Sequence, residues 1–336
     1  MPIRIAMRTV TSLLLLAGSP VVQADDFYNG RQVILVIGNS PGTSYDASAR
    51  LMARHLGQHI PGRPNIVPQN MPGATGLIAA NHVSNVAPQD GSVISNAHQS
   101  LPLRQLLGDK AVKYDALELQ WIGSPDSSNN TITVWHTVPV KSFEDAKTRT
   151  VIMGATTKAA ANYIEVIMAN KLAGAKFRLV TGYTANNIDL AMERGEVEGR
   201  AGQSWAGFKA TKPDWIRDKK MTVIAQLGLA RDPELPEVPL LQDFAQDEDG
   251  RRIIELFASQ IALGRPLFAA AGVPKERVAV LRAGFDAMAA SPDFLSDAER
   301  MNHDVRPVSG LELEAIVAKM MKTSPELAAK ANAMQD

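Results

Sequence analysis

Apolar runs typical of buried strands alternate with segments of helical periodicity along the first part of the chain. Residues 33–37 form a continuous and mostly β-branched run, as expected for a strand buried on both faces of a parallel sheet. A turn-forming stretch follows, and then a helix is predicted over residues 46–56 with Asp46 as its N-cap. Further strands are predicted at residues 65–69 and 92–96, with a helix between them. This pattern predicts a βαβαβ unit with helices on both faces of a sheet.

The middle of the chain repeats this alternation without repeating the sequence. Strands are predicted at residues 131–135, 150–153 and 177–180, and a helix follows each of the last two. An extended, proline-rich stretch at residues 231–239 is predicted to lead back toward the first unit. The last third of the chain is predicted to be largely helical, with a final helix that is capped by Ser309. The fold class is therefore α/β, with two units.

The first 24 residues have the three regions of a secretory signal peptide in the correct order. Arg4 and Arg8 give a positively charged start, and residues 10–17 form the apolar region. Val22-Gln23-Ala24 is a cleavage region of the A-x-A type, made largely of small residues. We expect cleavage after Ala24 and a periplasmic location. The apolar stretch is much shorter than the ~20 residues that a membrane-spanning helix needs, so membrane insertion is not expected.

Composition narrows the function classes further. The chain of 336 residues has no cysteine, which excludes disulfides, thiolate metal sites and a cysteine nucleophile. Removing Arg4 and Arg8 leaves 33 basic against 35 acidic residues, a formal charge of −2, which gives no sign of nucleic-acid binding. His55 and His59 are four residues apart without a metal-binding motif, and no phosphate-binding or nucleophile-elbow motif occurs. We expect no metal, no cofactor and no catalytic residues.

Three strand-to-helix junctions are rich in small and hydroxyl-bearing residues, at positions 40–46, 71–76 and 154–160. In open α/β sheets, ligands bind beyond the carboxyl ends of the strands, where helix N-termini favour anions. Each junction is therefore a candidate carboxylate site, or alternatively only a tight turn. Lys158 is the only cation in the three junctions, so it either pairs with a ligand carboxylate or stays a solvated surface charge.

Two aromatic residues are candidates for the wall of a binding site. Tyr183 and Trp205 lie next to small polar residues, Trp205 directly after Ser204. They either enclose the apolar part of a ligand or pack in the core.

A set of different short motifs follows one another along nearly the whole mature chain. The motifs are Pro41-Gly42-Thr43-Ser44-Tyr45-Asp46, Gln69-Asn70-Met71-Pro72-Gly73-Ala74-Thr75-Gly76, Ala87-Pro88-Gln89-Asp90-Gly91, Trp121-Ile122-Gly123, Val180-Thr181-Gly182-Tyr183 and Leu235-Pro236-Glu237-Val238-Pro239, among others. With these motifs in this order, the mature sequence resembles the extracytoplasmic solute-binding components of tripartite tricarboxylate transporters, the Bug or TctC-like receptors.

The resemblance implies a type II periplasmic-binding fold with two lobes, each a central sheet flanked by helices, and a ligand in the cleft between them. The first lobe would comprise residues 25–124 plus 229–336 and the second residues 125–228. The lobes would close by a hinge motion on a small organic carboxylate, and the protein, a monomer, would dock onto the membrane permease subunits of the transporter.

The resemblance also implies where the ligand is held. Carried over by position, the binding residues are Ser40, Pro41, Gly42, Thr43 and Asp46 in the first lobe and Thr156, Thr157, Lys158 and Ala159 in the second. The full expected set adds Tyr45, Gly73, Ala74, Tyr183, Ser204 and Trp205.

Both loops depart from the family pattern. Pro41 stands where the family usually has the first glycine of a pair, Tyr45 lengthens the spacing to Asp46, and the second loop lacks the usual glycine and serine residues. We expect Lys158 to add a direct charge contact to the ligand.

Two other functions are compatible with the sequence. A binding protein of this kind can serve a sensor or other signalling receptor instead of a permease, and a secreted enzyme can share the two-lobed architecture. The ligand itself stays open among dicarboxylates, tricarboxylates, aromatic acids and amino-acid-like anions, because backbone donors recognise a carboxylate and not its substituents.

Overall fold

A computed structural model describes residues 26–96, 98–158 and 160–334 of the chain. The predicted signal peptide, residues 1–24, lies outside the described residues. The strands in chain order are β1 (Gln32–Ile37), β2 (Asn65–Asn70), β3 (Val93–Asn96), β4 (Gln120–Ser124), β5 (Asn130–Trp135), β6 (Val151–Gly154), β7 (Phe177–Val180), β8 (Gly199–Ser204), β9 (Met221–Leu227), β10 (Leu267–Ala269) and β11 (Val308–Ser309).

Thirteen α-helices lie within these described ranges. They are α1 (Ser44–Leu56), α2 (Leu77–Asn85), α3 (Leu101–Leu106), α4 (Phe143–Thr148), α5 (Ala161–Ala173), α6 (Ala185–Glu193), α7 (Trp205–Thr211), α8 (Pro213–Arg217), α9 (Glu248–Ala262), α10 (Lys275–Ala289), α11 (Pro292–Arg300), α12 (Gly310–Met321) and α13 (Pro325–Asn332). None of the helices in the described part of the chain is long and apolar enough to cross a membrane.

The strands form two sheets, which confirms the predicted α/β fold class. The first sheet has six strands in the order β11-β4-β10-β3-β1-β2, and β1 pairs in parallel with both β2 and β3. The second has five strands in the order β7-β6-β8-β5-β9, with β6 parallel to β7 and β8. Each sheet thus contains three adjacent parallel strands whose carboxyl ends open at one edge.

The central strand β1 is buried on both faces, as its apolar run predicts. Leu35 and Ile37 are fully buried in a cluster with residues of α1 and α10, whereas Val36 is buried in a second cluster on the other face. Polar residues would leave both clusters incomplete, so the β-branched run is what allows a strand at the centre of the sheet.

Helix α1 begins two residues earlier than predicted, because Thr43 and not Asp46 is its N-cap. The Thr43 Oγ1 atom accepts a hydrogen bond from the Asp46 backbone N–H at 3.3 Å. Asp46 lies in the first turn, where its carboxylate accepts from the Gly42 backbone N–H at 2.9 Å. The helix capped by Ser309 is α12, as predicted, but it is not the last one: Ser324 caps α13 after it.

The chain leaves the first sheet after Ser124, forms all five strands of the second, and returns at Leu267. Helix α9 precedes the return and contacts α5 and β9 as well as α12 and α13, so it packs against elements of both halves. The exact lobe boundaries stay a prediction.

The chain passes between the sheets twice, after Ser124 and before Leu267, and a partly buried ion pair connects these two crossings. Arg265 Nη1 lies 2.5 Å from Asp126 Oδ2, and the Arg265 backbone N–H donates to Ser124 Oγ at 2.9 Å. The Asn96 side chain donates to the Arg265 carbonyl at 3.0 Å, which ties the end of β3 to the same place. The relative position of the two sheets therefore depends on residues at the crossings.

Gly264 allows the returning chain to approach this close, and its replacement tests the arrangement. It has φ +62°, and an added Cβ would lie 1.7 Å from the Asp126 carbonyl oxygen. We expect Gly264→Ala to lower the free energy of unfolding by at least about 3 kcal/mol in urea denaturation, because the backbone itself must move.

Gly42→Ala is the matched control for this experiment. Gly42 also has positive φ, +79°, but nothing lies within 4 Å of its added Cβ. Gly42→Ala should lower the free energy of unfolding by roughly 1 kcal/mol, which is the penalty of the left-handed backbone conformation alone. Equal losses in the two variants would contradict the tight crossing.

Candidate functional site

A cleft lies between the two sheets and consists of two adjoining cavities. The first cavity has a volume of about 710 Å³ and the second about 510 Å³. They share four lining residues: His98, Gln99, Asn130 and Ile261. The cleft borders the carboxyl ends of β3 and β8, so it occupies the place where α/β sheets bind ligands.

The loop after β3 lies at the centre of the cleft. His98 stacks on the ring of Tyr45, with ring centroids 4.9 Å apart, and its Nδ1 lies 2.7 Å from Ser100 Oγ. Burial, with smaller contributions from the charges of Arg104 and Arg265, lowers the pKa of His98 to about 4. His98 is therefore a neutral side chain at physiological pH.

This loop is not among the predicted binding segments, because His98 by itself matches no motif. The signal that could have found it is topological. β3 is the parallel neighbour of β1. Its carboxyl end therefore opens at the same edge of the sheet as the predicted junctions at residues 40–46 and 71–76.

Tyr45 connects three elements around the cleft. Its hydroxyl donates to the Gly264 carbonyl at 3.2 Å and accepts from the Gln99 backbone N–H at 3.3 Å. Burial raises the pKa of Tyr45 to about 12, in spite of the nearby charge of Arg265. Tyr45 thus links the first turn of α1, the loop after β3 and the returning crossing through an un-ionised hydroxyl.

Asp46 holds the first loop together from within. Only 4% of Asp46 is exposed, and its carboxylate accepts from Gly42, from Arg50 Nε at 2.9 Å and from Asn70 Nδ2 at 2.8 Å. Burial raises the pKa of Asp46, but the hydrogen bonds from Asn70, Gly42 and Arg50 outweigh burial and bring it below the ordinary value. The carboxylate therefore orders the loop between β1 and α1 and ties it to the end of β2.

Glu165 on α5 is a buried carboxyl in the wall of the first cavity. Only 3% of it is exposed, and its Oε1 accepts from Asn130 Nδ2 at 2.6 Å. Its Oε2 has no hydrogen-bond partner among the described residues. Burial raises the pKa of Glu165 to about 7, although the hydrogen bond from Asn130, the nearby Gly202 backbone and the charge of Arg200 act to lower it.

The two arginines that line the cleft are already paired. Arg104 donates from Nε and Nη2 to Asp109 Oδ2, at 2.8 and 2.5 Å, and from Nη1 to the Ala74 carbonyl at 2.5 Å. Arg265 is paired with Asp126. The described wall of the cleft thus offers a ligand hydrogen-bond donors and no cation without a carboxylate partner.

The residues expected to bind ligand are spread over several environments. Tyr45 and Ser204 line the second cavity, and Ser204 also caps α7 through its Oγ. Gly73 and Ala74 precede Thr75, which lines the first cavity. Four of the expected residues are exposed before α1 and are not among the residues that line either cavity: Ser40, Pro41, Gly42 and Thr43.

In the second half of the fold, the expected residues are likewise divided. Thr156 donates to Asn162 Oδ1 from both its backbone N–H and its Oγ1, whereas Thr157 and Lys158 are exposed. Ala159 lies outside the described residues. Tyr183 packs against the apolar cluster that contains Trp205, and Trp205 is buried with its Nε1 donating to Glu234 at 2.8 Å. Their binding roles stay predictions.

Comparisons with solved structures confirm the fold. A TctC solute-binding protein from Polaromonas, solved without ligand, superposes with a TM-score of 0.72 at 22% identity, over 90% of this chain and 99% of that one. The periplasmic binding protein BugD gives 0.59 at 20% identity, over 91% and 99%. A protein of R. palustris solved with adipate gives 0.60 at 19%, over 90% and 98%. No family model and no curated protein matches the sequence.

The resemblance inferred from the motifs is thereby confirmed at the level of the fold. The chain has the two-lobed α/β fold of the TctC and Bug binding proteins.

The raised pKa of Glu165 predicts a stability profile. Because the folded protein holds this proton up to about pH 7 and the unfolded chain only to its ordinary pKa of 4.5, protonation favours folding. The stabilisation is complete below pH 4.5 and is lost as the pH rises through 7, by about 3 kcal/mol in total.

Urea denaturation of the wild type and of Glu165→Gln across this range checks the prediction. The wild type should lose stability relative to the variant between pH 4.5 and 7 and then run parallel to it. Glu144→Gln, at an exposed position on α4, should follow the wild type throughout. A constant difference between wild type and Glu165→Gln would show that Glu165 has an ordinary pKa.

Proposed function

We propose that this protein is an exported receptor of the TctC and Bug family, which binds a small organic carboxylate in the cleft. It then delivers the ligand to the membrane permease of a tripartite tricarboxylate-type transporter. The observation that carries this proposal is the meeting of two helix N-termini, those of α1 and α5, at one cleft.

The first turn of α1 reaches the second cavity. Ser44 and Tyr45 are its first two residues, and both line that cavity. The N–H groups of a first helical turn have no partner within the helix, and the helix dipole adds a partial positive charge. An anion in the second cavity would therefore meet oriented donors.

The first turn of α5 reaches the first cavity from the other half of the fold. Ala161, its first residue, lines the cavity, and its N-cap, Ala160, supplies no side-chain cap. A helix of 13 residues whose first turn is not capped by a side chain is well suited to hold a carboxylate oxygen. Two helix N-termini that face one cleft suit an anion with separated oxygen groups, such as a dicarboxylate.

The neighbouring structures support the same class of ligand. One protein of the same fold was solved with adipate, a dicarboxylate. The paired arginines of the cleft are consistent with recognition by hydrogen-bond donors. Export and periplasmic location are part of the proposal, supported by the N-terminal sequence and by the periplasmic proteins that share the fold.

Thermal unfolding in the presence of organic acids tests the proposal. A ligand present at 100 times its dissociation constant should stabilise the protein by about 2.7 kcal/mol. Succinate, malate, adipate and benzoate would be compared with their uncharged amides, which should give no shift. Recovery of the ligand unchanged after long incubation is expected of a receptor.

Lack of any shift with every carboxylate, or equal shifts with the amides, would contradict a carboxylate receptor. Conversion of the ligand would point to the enzyme alternative.

Lys158 provides a second test, of where the ligand is held. It is exposed in the loop that leads into α5, and closure of the lobes would be needed to bring it to the ligand. If it contacts the carboxylate, Lys158→Ala should weaken binding more than twofold in calorimetric titration.

Lys171→Ala is the matched control, because Lys171 is an exposed lysine at the opposite end of α5. It should leave the affinity unchanged. Affinity of Lys158→Ala within twofold of the wild type would remove Lys158 from the binding site.

A further inference from the structure

Glu165 lines the first cavity of the cleft, and one of its two carboxyl oxygens is buried without a hydrogen-bond partner among the described residues. Only 3% of Glu165 is exposed, and the oxygen without a partner is Oε2. The other oxygen is fixed by Asn130 at 2.6 Å, so the carboxyl group cannot turn away without losing that bond. Leaving a buried polar atom unpaired costs free energy of about 1–3 kcal/mol, so a partner supplied by the ligand would recover it.

The charged groups around Glu165 decide which form of the carboxyl group suits an anion. From β8, Arg200 faces it, but Arg200 forms its own buried ion pair with Asp189. Across the first cavity, Arg104 is paired with Asp109. None of these described cations is free to compensate an ionised Glu165 and a ligand anion together.

The remaining walls of the first cavity near Glu165 are uncharged. Helix α9 contributes Phe257, Gln260 and Ile261. His98, in the facing loop, has a lowered pKa of about 4 and stays neutral. A ligand carboxylate beside an ionised Glu165 would therefore be repelled, whereas a neutral carboxylic acid can donate to it.

We propose that Glu165 determines specificity in the cleft by binding as a neutral carboxylic acid that donates a hydrogen bond from Oε2 to a carboxylate oxygen of the ligand. This inference rests on the proposed carboxylate-binding function. It requires the ligand to place an acceptor next to Glu165 and excludes ligands that place an ammonium group there. Among the candidate anions, it favours dicarboxylates and hydroxy acids over amino acids.

Ligand binding to the neutral form of Glu165 is coupled to proton uptake, which can be measured. Above pH 7 the free protein has lost most of this proton, because the pKa of Glu165 is about 7. Ligand binding then takes up one proton from the solvent per complex. The apparent affinity falls with the fraction of protein that carries the proton, by roughly 25-fold between pH 6.5 and 8.5.

Calorimetric titration with succinate, malate and adipate at pH 6.5 and 8.5 tests the proposal. The carboxyl groups of the three probes are ionised throughout this range. The wild type should lose roughly 25-fold in affinity at the higher pH. Glu165→Gln should keep one affinity at both pH values, since its amide donates a hydrogen bond whatever the pH. Glu144→Gln, altered on the exposed surface of α4, should behave as the wild type.

A second measurement does not depend on the folding of any variant. Titration of the wild type at pH 8.5 in two buffers with different ionisation enthalpies should report uptake of close to one proton per ligand. Together, the loss of affinity with pH and the proton uptake would support the neutral acid.

Three outcomes would overturn the inference. Affinity that rises with pH and is lost in Glu165→Gln would show an ionised Glu165 paired with a ligand donor. Binding that does not change with pH, without proton uptake, would remove Glu165 from the ligand contact while leaving the receptor function intact. Failure of all three probes to bind at either pH would overturn the inference, which favours dicarboxylates and hydroxy acids, whereas the proposed carboxylate-binding function falls only if the wider set of acids fails as well.

Discussion

Two crossings of the chain connect the sheets, and the ion pair between Arg265 and Asp126 holds them side by side. Asp126 is only 6% exposed, so its charge requires a partner with good geometry. Its pKa is raised by burial but lowered more by Arg265 and by His303, whose Nε2 lies 3.0 Å from Asp126 Oδ2, and this keeps the carboxylate ionised. Because Tyr45 and Asn96 also bond to the returning crossing, the first turn of α1 and the end of β3 are positioned by the same few residues.

Ion pairing also determines the electrostatic character of the cleft. Both cleft arginines are neutralised by a carboxylate, Arg265 by Asp126 at the crossing and Arg104 by Asp109. What remains for an anion is a set of oriented dipoles at helix N-termini, together with neutral side chains such as His98 and Tyr45. Dipoles that are fixed in advance need little reorganisation when a ligand arrives, and they permit lobes of the same fold to accept different acids.

Glu165 differs from the rest of the cleft because its environment is incomplete. A carboxyl group in an apolar wall, bonded on one oxygen only, is less stable as an anion than in water. The fold tolerates this because the group can hold a proton. With a pKa of about 7, Glu165 exchanges its proton near physiological pH, and its protonated form provides a side-chain donor beside the backbone donors of α5.

The sequence by itself determined the fold class, six of the eleven strands in the described residues, the helices α1, α2, α5, α6 and α12, and two of the junctions at which helix N-termini meet the cleft. These follow from local patterns of apolar, small and hydroxyl residues. Tertiary structure alone decided which side chains face the cleft. The ligand contact expected of Asp46 stays a prediction, and only the structure shows that its carboxylate holds its own loop, since Gly42, Arg50 and Asn70 all donate to it. His98 and Glu165 escaped notice, because their importance depends on the pairing of β3 with β1 and of α5 with β8. Such long-range contacts set burial and pKa, and no local pattern encodes them.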